Sequence, residues 1–322
     1  MRPRVAVICS VKDEAAALGA LLDSLLAQTR PPDEIVICDG GSRDATVELI
    51  GRRIERGAPL RLIERPGSNI AAGRNAAIAA TSAPIVAVTD CGVRLEPDWL
   101  AELVGPFEDA GGPDVVAGFF RPDPRGAFET ALGATTLVPE AEVGASTFMP
   151  SSRSVAFRRS AWQAVGGYPE WLEHSEDILF DLRLKSHGYR FAFRPRALVH
   201  FRPRPTLAAY FRQYRAYARG DGKADLWRRR HLARYLAYGL GPIVLLAGVW
   251  YKRLWLAGAV LGGAYMVTPY RRLWPWLSTL GPRERIEALA WVPVIRLVGD
   301  VAKMLGYPVG LWWRTRQRAG TR

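Results

Sequence analysis

The sequence contains few cysteines, and their arrangement excludes two common uses. Cys9, Cys38 and Cys91 are the three cysteines among 322 residues, and they lie far apart with no histidine beside them. This spacing fits neither a zinc motif nor a framework of disulfides. Each lies in or just after an apolar run. We therefore predict small, buried thiols in a protein from a reducing compartment.

A signal peptide and a dinucleotide fingerprint are also missing. The opening MRPRVAVICSVKDE has an apolar run that is too short for a signal peptide, and it lacks a small-residue cleavage site. We therefore expect the front half of the chain to stay in the cytosol. No G-x-G-x-x-G follows the first predicted strand, which argues against a soluble dinucleotide enzyme.

Acidic residues are scarce only in the back of the chain. Residues 1–200 contain 22 basic residues (Lys and Arg) and 26 acidic residues (Asp and Glu). Residues 201–322 contain 22 basic residues and 5 acidic residues. A strongly basic segment can face nucleic acid, an anionic membrane surface or a phosphorylated substrate. Its arginines flank long uncharged runs, which a bilayer explains better than nucleic acid does. We predict membrane lipids as partners and no nucleic acid.

The front half alternates apolar runs with segments of helical spacing. The runs RVAVICS, DEIVICDGG, PLRLIER and APIVAVTD predict strands, and the intervening segments predict helices. This order is typical of βαβ units and a parallel sheet. Continuous apolar runs indicate burial on both faces. The fold class is therefore α/β.

Residues 106–205 have a more mixed pattern. DVVAGFF, SVAFRR and YRFAFRPRALVHF predict further strands. SEDILFDLRLKSHG predicts a helix that is capped by Ser175 and has Asp177 in its first turn. We expect this part to extend the sheet and cover the cleft.

Polar clusters follow three of the predicted strands. They are Ser10–Glu14, Asp39–Ser42 and Asp90–Gly92. In open α/β sheets, ligands bind outside the carboxyl ends of the strands. We expect the three clusters to converge on one cleft. Arg74, on the helix after the third strand, should lie near the same edge.

The basic part contains two uncharged runs of 17 residues, 235–251 and 254–270. Seventeen residues is the lower limit for a bilayer span, and Trp or Tyr at the run ends is typical of interfacial anchors. Lys252 and Arg253 separate the runs. We predict membrane association and expect a spanning hairpin. The alternative is a soluble helical subdomain that buries the hairpin.

A third apolar segment, residues 286–313, is interrupted by Arg296, Asp300 and Lys303. We predict that it is amphipathic and lies in the membrane interface.

Five motifs, in this order and spacing, resemble those of family-2 glycosyltransferases of the membrane-associated bacterial type. They are CSVKDE from Cys9, PPDEIVICDGGSRDAT from Pro31, GRNAA from Gly73, Asp90-Cys91-Gly92, and Gly166-Gly167-Tyr168 followed by Glu176-Asp177. The resemblance covers about residues 4–220. It implies the glycosyltransferase-A fold, Rossmann-like with a mostly parallel central sheet, and inverting chemistry. Gly40, Gly92 and Leu179 stand where the family usually has aspartate.

The resemblance and the composition together predict three regions. Residues 1–205 form the catalytic domain, with 1–105 binding the nucleotide-sugar and 106–205 the acceptor. Residues 206–232 form a basic amphipathic interfacial segment, and residues 233–322 form membrane-associated helices.

The resemblance also assigns donor-binding residues. Asp39 is expected to read the base, with Ser10 and Glu14 lining the same pocket and Arg74 positioning the donor. A turn-capping role for Asp39 and an exposed helix position for Arg74 are the alternatives.

Asp90 is expected to hold a divalent metal, Mn²⁺ or Mg²⁺, with His200 as the other candidate ligand. The metal should be weakly held, because Gly92 replaces the second aspartate of the family motif. A packed, hydrogen-bonded side chain is the alternative for His200.

Asp177 is the candidate general base, paired with Glu176 in the motif. Inverting transfer needs one carboxylate to take the proton of the acceptor hydroxyl. Gln213 and Arg215, in YFRQYRAYARGDG, are expected to reach the diphosphate or the acceptor. The alternative for both is an interfacial basic helix.

We therefore predict transfer from a nucleotide-sugar, most simply a UDP-sugar, to a lipid-linked or envelope saccharide. The predicted location is the cytoplasmic membrane, with the catalytic domain on its cytosolic face. One alternative is the same architecture using GDP-mannose. Another is a catalytically degenerate membrane scaffold, which the three missing aspartates would favour.

Overall fold

The computed structural model describes residues 2–145 and 147–320. The chain divides into two compact units. The first comprises Met1–Asp123 and Glu140–Phe201, and the second Pro124–Pro139 and Arg202–Arg322. Residues 124–139, which the sequence places in the predicted catalytic domain, fall in the second unit.

The first unit is an α/β fold with one eight-stranded sheet. Its strands are β1 (Val5–Val11), β2 (Glu34–Asp39), β3 (Leu60–Glu64), β4 (Ile85–Val88), β5 (Val93–Leu95), β6 (Val115–Pro122), β7 (Val155–Arg158) and β8 (Phe191–Phe201). Its α-helices are α1 (Ala15–Leu26), α2 (Thr46–Glu55), α3 (Ile70–Ala79), α4 (Trp99–Val104), α6 (Arg159–Ala164) and α7 (Glu176–Ser186).

The sheet is mixed, in the order β3-β2-β1-β4-β7-β6-β8-β5. The predicted parallel pairings of β1 to β4 are confirmed. Antiparallel pairs enter beyond β4, because β7 inserts between β4 and β6 and the short β5 pairs with β8. β6 and β8 pair parallel, so four of the seven strand pairings are parallel and three are antiparallel, and the predicted parallel sheet is in fact mixed beyond β4.

Both faces of the sheet are buried, as the apolar runs predict. Val5, Val7, Cys9 and Val11 of β1 pack into one hydrophobic cluster, while Ile8 packs into another. Alternate side chains of a strand point to opposite faces, so each cluster covers one face. Cys9 and Cys38 are buried and Cys91 is half-buried, and all three are free thiols.

The helix that carries the predicted base begins differently from expectation. Ser175 precedes α7 with φ 65°, and its side chain makes no capping hydrogen bond. The prediction of a Ser175 cap is wrong, because a capping side chain requires an extended backbone rather than a left-handed one. Asp177 does lie in the first turn, with Glu176 as the first helical residue.

The second unit is helical. Its α-helices are α5 (Gly126–Thr136), α8 (Leu207–Ala224), α9 (Arg228–Ala247), α10 (Arg253–Leu273) and α11 (Pro282–Gly320). Arg202 donates to both carboxylate oxygens of Glu129 of α5, from Nε to each oxygen at 3.0 Å and from Nη2 to Oε1 at 2.6 Å. This bidentate pair ties α5 to the start of the C-terminal part.

The two uncharged runs fall in α9, α10 and the turn between them. Among the described residues, no helix combines the length and the apolarity that crossing a membrane requires. The expectation of a spanning hairpin is therefore corrected. Glycine, tyrosine and tryptophan lower the mean hydropathy of each run, and neither run is longer than 17 residues.

Candidate active site

The carboxyl ends of β1, β2 and β4 lie side by side, as predicted. Val11 is the register partner of Asp39, and Ile8 is that of Val88, two residues before Asp90. The Asp13 N–H donates to Ser42 Oγ at 2.8 Å, which joins the first polar cluster to the second. Burial and the Glu14 carboxylate raise the pKa of Cys91 to about 12. The predicted polar clusters therefore share one edge of the sheet.

Asp39 holds the turn that follows β2. Its Oδ2 accepts hydrogen bonds from the backbone N–H groups of Gly41 at 2.8 Å and Ser42 at 2.9 Å. The Ser42 hydroxyl donates to Oδ1. Asp39 is 2% exposed. The contacts of Asp39 in this structure are therefore those of a turn-capping residue. Its recognition of the nucleotide base stays a prediction.

Ser10 contacts the helix that carries Arg74. A Cβ built on Gly73 would lie 2.2 Å from Ser10 Oγ and 3.0 Å from Ser10 Cβ. Real Cβ atoms do not approach so closely, so glycine at position 73 allows α3 to pack directly on β1. This close approach brings the next residue, Arg74, to the strand ends.

Arg74 is the centre of the site. Its Nη2 donates to Asp90 Oδ1 at 2.6 Å, and its Nη1 donates to Glu176 Oε1 at 2.7 Å. The guanidinium lies 5.3 Å from the ring centroid of Tyr168, and Arg74 is 2% exposed. One buried cation therefore joins the end of β4 to the start of α7.

Arg74 with its two partners, Asp90 and Glu176, forms a charged bridge (the Arg74 bridge) in which the pKa values of Arg74 and Glu176 depend on each other. Burial lowers the pKa of Arg74, but Asp90 and Glu176 outweigh it and raise the pKa well above its usual value. Burial and Asp177 raise the pKa of Glu176 to about 7, against the opposing effect of Arg74. Glu176 therefore exchanges its proton near neutral pH, and Arg74 stays charged.

Asn75, the neighbour of Arg74, holds the Gly166-Gly167-Tyr168 segment. Its Nδ2 donates to the Tyr168 carbonyl at 2.8 Å, and its Oδ1 accepts from the Tyr168 N–H at 2.9 Å. Trp162 Nε1 donates to the same Oδ1 at 3.0 Å. Two motifs that are far apart in sequence are therefore joined by one amide side chain.

Asp177 is half-buried, and its Oδ1 accepts from the Ile178 N–H at 2.8 Å. One turn later on α7, Asp181 is buried, and its Oδ2 has no hydrogen-bond partner. Burial and Asp177 raise the pKa of Asp181 well above its usual value. The sequence reasoning missed Asp181, although its spacing of four residues from Asp177 predicts the same helix face.

His200 lies on β8, with Arg94 of β5 as its register partner. Its Nε2 is 2.7 Å from Glu96 Oε1. Within residues 2–145 and 147–320, no group of three or more His, Cys, Asp or Glu side chains is placed to hold a metal ion. The hydrogen-bonded alternative thus describes His200 here, and its role as a metal ligand stays a prediction.

The residues do fit a metal that arrives with the donor. Gly92 has φ 83°, and a Cβ built there meets no atom within 4 Å, so the place of the missing carboxylate is open. Mg²⁺ commonly binds through one or two carboxylates together with substrate phosphates and water. Asp90, which is 25% exposed, can serve as that single carboxylate.

Gln213 and Arg215 lie on α8 of the second unit. Gln213 Nε2 donates to Tyr217 Oη at 2.9 Å, within the same helix, and Arg215 is exposed. The expected contacts of both with the diphosphate or acceptor stay predictions.

Comparison with known sequences identifies the family. The model described as Glycosyl transferase family 2 matches residues 6–161, and the model described as Glycosyl transferase family group 2 matches residues 87–295. The chain is similar to the succinoglycan biosynthesis protein ExoA of Rhizobium meliloti, with 26% identity over 88% of this chain and 92% of that protein. It is also similar to the O-antigen chain rhamnosyltransferase RfbN of Salmonella typhimurium, with 27% identity over 59% and 65%.

Solved structures show the same fold. A mannosyltransferase from Pyrobaculum calidifontis in complex with GDP-Man and Mn²⁺ superposes with a TM-score of 0.58 and 21% identity, covering 94% of this chain and 88% of that one. S. aureus TarS 1–349 in complex with UDP superposes with a TM-score of 0.51 and 16% identity, covering 98% and 92%. With the family group model matching 209 residues, 87–295, this chain belongs to glycosyltransferase family 2 and is an enzyme of that class.

Proposed function

We propose that this enzyme transfers a sugar, with inversion, from a UDP-sugar to a saccharide acceptor carried on a lipid. The Arg74 bridge carries the proposal. It joins Asp90, on the donor side of the sheet edge, to Glu176, the residue before the candidate base. A nucleotide-sugar bound over the strand ends would therefore lie next to the start of α7. ExoA and RfbN act in polysaccharide and O-antigen assembly by their names, which supports a saccharide acceptor.

Asp177 performs the proton transfer in this proposal. The acceptor hydroxyl oxygen attacks the anomeric carbon, the bond from that carbon to the diphosphate oxygen breaks, and Asp177 takes the hydroxyl proton. The nucleoside diphosphate leaves with the bonding electron pair. Arg74 stays charged beside the departing diphosphate, where a fixed cation stabilises developing negative charge.

Asp90 would hold a divalent metal ion, which would supply further positive charge to the diphosphate. The ion would take its remaining ligands from the donor and from water, since Gly92 contributes no carboxylate. Mn²⁺ in the mannosyltransferase structure supports a metal in this fold. Ser10, Glu14 and Asp39 would line the pocket of the nucleotide.

The donor has two candidates. The solved structures include one with UDP and one with GDP-Man, so GDP-mannose is the alternative to a UDP-sugar. Both donors present a diphosphate to Arg74 and Asp90, so the bridge suits either one.

We further propose that α9 and α10 place the enzyme at the cytosolic face of the cytoplasmic membrane, lying in the interface. Many apolar side chains on these helices and the turn between them are more than half exposed, among them Leu236, Leu240, Ile243, Leu246, Trp250, Leu256 and Leu261. Arginines flank them at positions 228–230 and 271–272. An apolar surface rimmed by cations binds anionic bilayers by burying apolar area and by attracting the anionic headgroups.

The test of the enzymatic proposal is nucleotide release. Purified protein is offered a panel of sugar nucleotides with Mn²⁺, with Mg²⁺ or with chelator, in the presence of membrane lipid extract. We expect one donor to release its nucleotide and Asp177→Asn to be slower by about a hundredfold or more. Asp109→Asn, the same change at an exposed carboxylate, is the control. Release at equal rates by Asp177→Asn and wild type would overturn the assignment of the base.

The test of membrane binding is flotation with vesicles that contain anionic lipid. Leu246→Asp and Leu261→Asp each remove a side chain worth about 1.5–3 kcal/mol on burial, so binding should fall about tenfold or more. Leu26→Asp, at an exposed position of α1, is the matched control. Unchanged flotation of both hairpin variants would contradict the proposed membrane surface.

A further inference from the structure

A polar cluster outside the candidate active site lies among the helices of the second unit. Asp300 of α11 is 5% exposed. It accepts hydrogen bonds from Arg234 Nε at 2.7 Å, from Tyr238 Oη at 3.1 Å and from Tyr265 Oη. Three helices, α9, α10 and α11, therefore meet at one carboxylate that has three donors.

Two further cations belong to this cluster. Arg296 and Lys303 lie on α11 seven residues apart, so they share a face with Asp300 between them. The Arg296 guanidinium lies 4.2 Å from the Tyr265 ring centroid, and Lys303 Nζ lies 5.1 Å from that of Tyr214. Arg296 Nη2 donates to the Tyr265 carbonyl at 3.3 Å, and within the described residues the ion pair of Asp300 is with Arg234 rather than with Arg296 or Lys303.

The cluster therefore carries uncompensated positive charge. Three cations, Arg234, Arg296 and Lys303, face two carboxylates: Asp300, which pairs with Arg234, and Asp221, which favours the charged form of Lys303 as Asp300 does. Burial and Arg234 lower the pKa of Lys303 and outweigh the opposing effects of Asp300 and Asp221. Arg296 Nε is buried and has no hydrogen-bond partner. Burying uncompensated positive charge costs stability, and an anionic ligand would offset that cost.

Apolar side chains run beside the two cations. Leu297, Val301 and Leu305 follow at intervals of four residues on α11 and are 37–53% exposed. Tyr235 of α9 donates to the Met304 carbonyl at 2.7 Å, so α9, with its exposed Leu236 and Leu240, lies alongside. A ligand with an anionic head and a hydrocarbon chain would satisfy both surfaces.

We propose that Arg296 and Lys303 bind the phosphate of a lipid phosphate, whose hydrocarbon chain lies along the exposed apolar residues of α11 and α9. This inference rests on the proposed function, since it names the place where a lipid-linked acceptor is held. Arginine and lysine are the residues that bind phosphate oxygens through charge-assisted hydrogen bonds. The Asp300 carboxylate does not oppose this binding, because three donors and the Arg234 charge already compensate it.

The test measures binding to the full chain in detergent with no nucleotide present. The probes are farnesyl phosphate, farnesol and inorganic phosphate. Farnesyl phosphate should bind about tenfold or more tightly than either of the others. Equal binding of farnesol would overturn the phosphate contact. Equal binding of inorganic phosphate would make this a site for free anions and overturn the lipid assignment.

Variants locate the site. Lys303→Met and Arg296→Met should each weaken farnesyl phosphate binding about tenfold, whereas Lys303→Arg retains it. Arg283→Met, the same loss of charge at the exposed start of α11, should bind like wild type. Thermal unfolding of each variant, with Lys303→Gln as a second neutral replacement, verifies the fold. Folded variants that bind as wild type does would overturn the proposal.

The two proposals fail separately. A wild-type protein that binds farnesyl phosphate but neither binds nor turns over a sugar nucleotide overturns the proposed transfer. A protein that turns over its donor but does not distinguish farnesyl phosphate from farnesol overturns the lipid-phosphate site alone.

Discussion

Arg74 and Asp90 form an ion pair with an Nη2–Oδ1 distance of 2.6 Å, in which the guanidinium is buried and the carboxylate is partly exposed. The other arm of the guanidinium holds Glu176 at 2.7 Å. One residue of α3 therefore pairs with a carboxylate after β4 and with another at the start of α7. Its loss should affect stability and chemistry together.

Arg74→Met should destabilise the protein by about 3–5 kcal/mol, because removing one partner of a buried pair leaves the other charges uncompensated. Urea unfolding at pH 8 measures the loss. Arg56→Met, at an exposed position after α2, should change stability by less than about 0.5 kcal/mol. Equal stabilities of the two variants would show that the bridge contributes nothing.

Gly92→Asp should strengthen the dependence of nucleotide binding on Mn²⁺ about tenfold, because it adds a carboxylate where the structure has open space. The positive φ of 83° costs any side chain about 1 kcal/mol. Gly92→Asn carries the same backbone strain without the charge and is the control. Calorimetry of nucleotide binding with and without Mn²⁺ measures the effect. If Asp and Asn behave alike, position 92 lies outside the reach of the metal.

Glu176 should make the folded state less stable as pH rises. Its pKa is raised to about 7 by burial and by Asp177, so the folded state binds the proton more tightly than the unfolded state. Its favourable contribution is complete below the ordinary pKa of about 4.5 and is lost as pH rises through about 7.

The corresponding experiment compares wild type with Glu176→Gln by urea unfolding between pH 4 and pH 8. The stability of wild type relative to the variant should fall by about 2–3 kcal/mol over that range. A constant difference across the range would contradict the raised pKa.

Gly73→Ala should cost about 1–3 kcal/mol, because the added Cβ overlaps Ser10 and forces α3 away from β1. The cost should shrink in a Ser10→Ala background, where the 2.2 Å contact is gone and the 3.0 Å contact with Cβ remains. A double-mutant cycle on unfolding free energies measures this coupling. Purely additive costs would show that the two positions do not touch.

Much of the first unit was predictable from local pattern. The strands β1 to β4 and the helices between them follow from apolar runs and helical spacing. The rule that ligands bind outside the carboxyl ends of parallel strands correctly predicted that Ser10, Asp39 and Asp90 lie at one edge of the sheet. Arg74 was placed near that edge, but its partners were not predicted. An ion pair between residues 102 positions apart depends on packing that no local pattern encodes.

Other features could not be predicted from local sequence patterns, because they depend on long-range contacts or on the composition of a whole helix. Antiparallel β7 enters the sheet through long-range pairing, and the side chain of Ser175 does not cap α7, where the backbone at Ser175 is left-handed with φ 65°. The apolar runs at 235–251 and 254–270 were recognised, but their length and composition fall short of a spanning helix.

The amino-acid sequence by itself determined the family, the α/β class and the identity of the polar groups at the strand ends, because periodicity, turn residues and motif order are local properties. Tertiary structure alone decided which charges pair. It buried Arg74 between Asp90 and Glu176, left Asp181 without a hydrogen-bond partner for one carboxylate oxygen, and gathered Arg234, Arg296 and Lys303 around Asp300. Charge energies depend on distance and burial, and both arise only when the chain is packed.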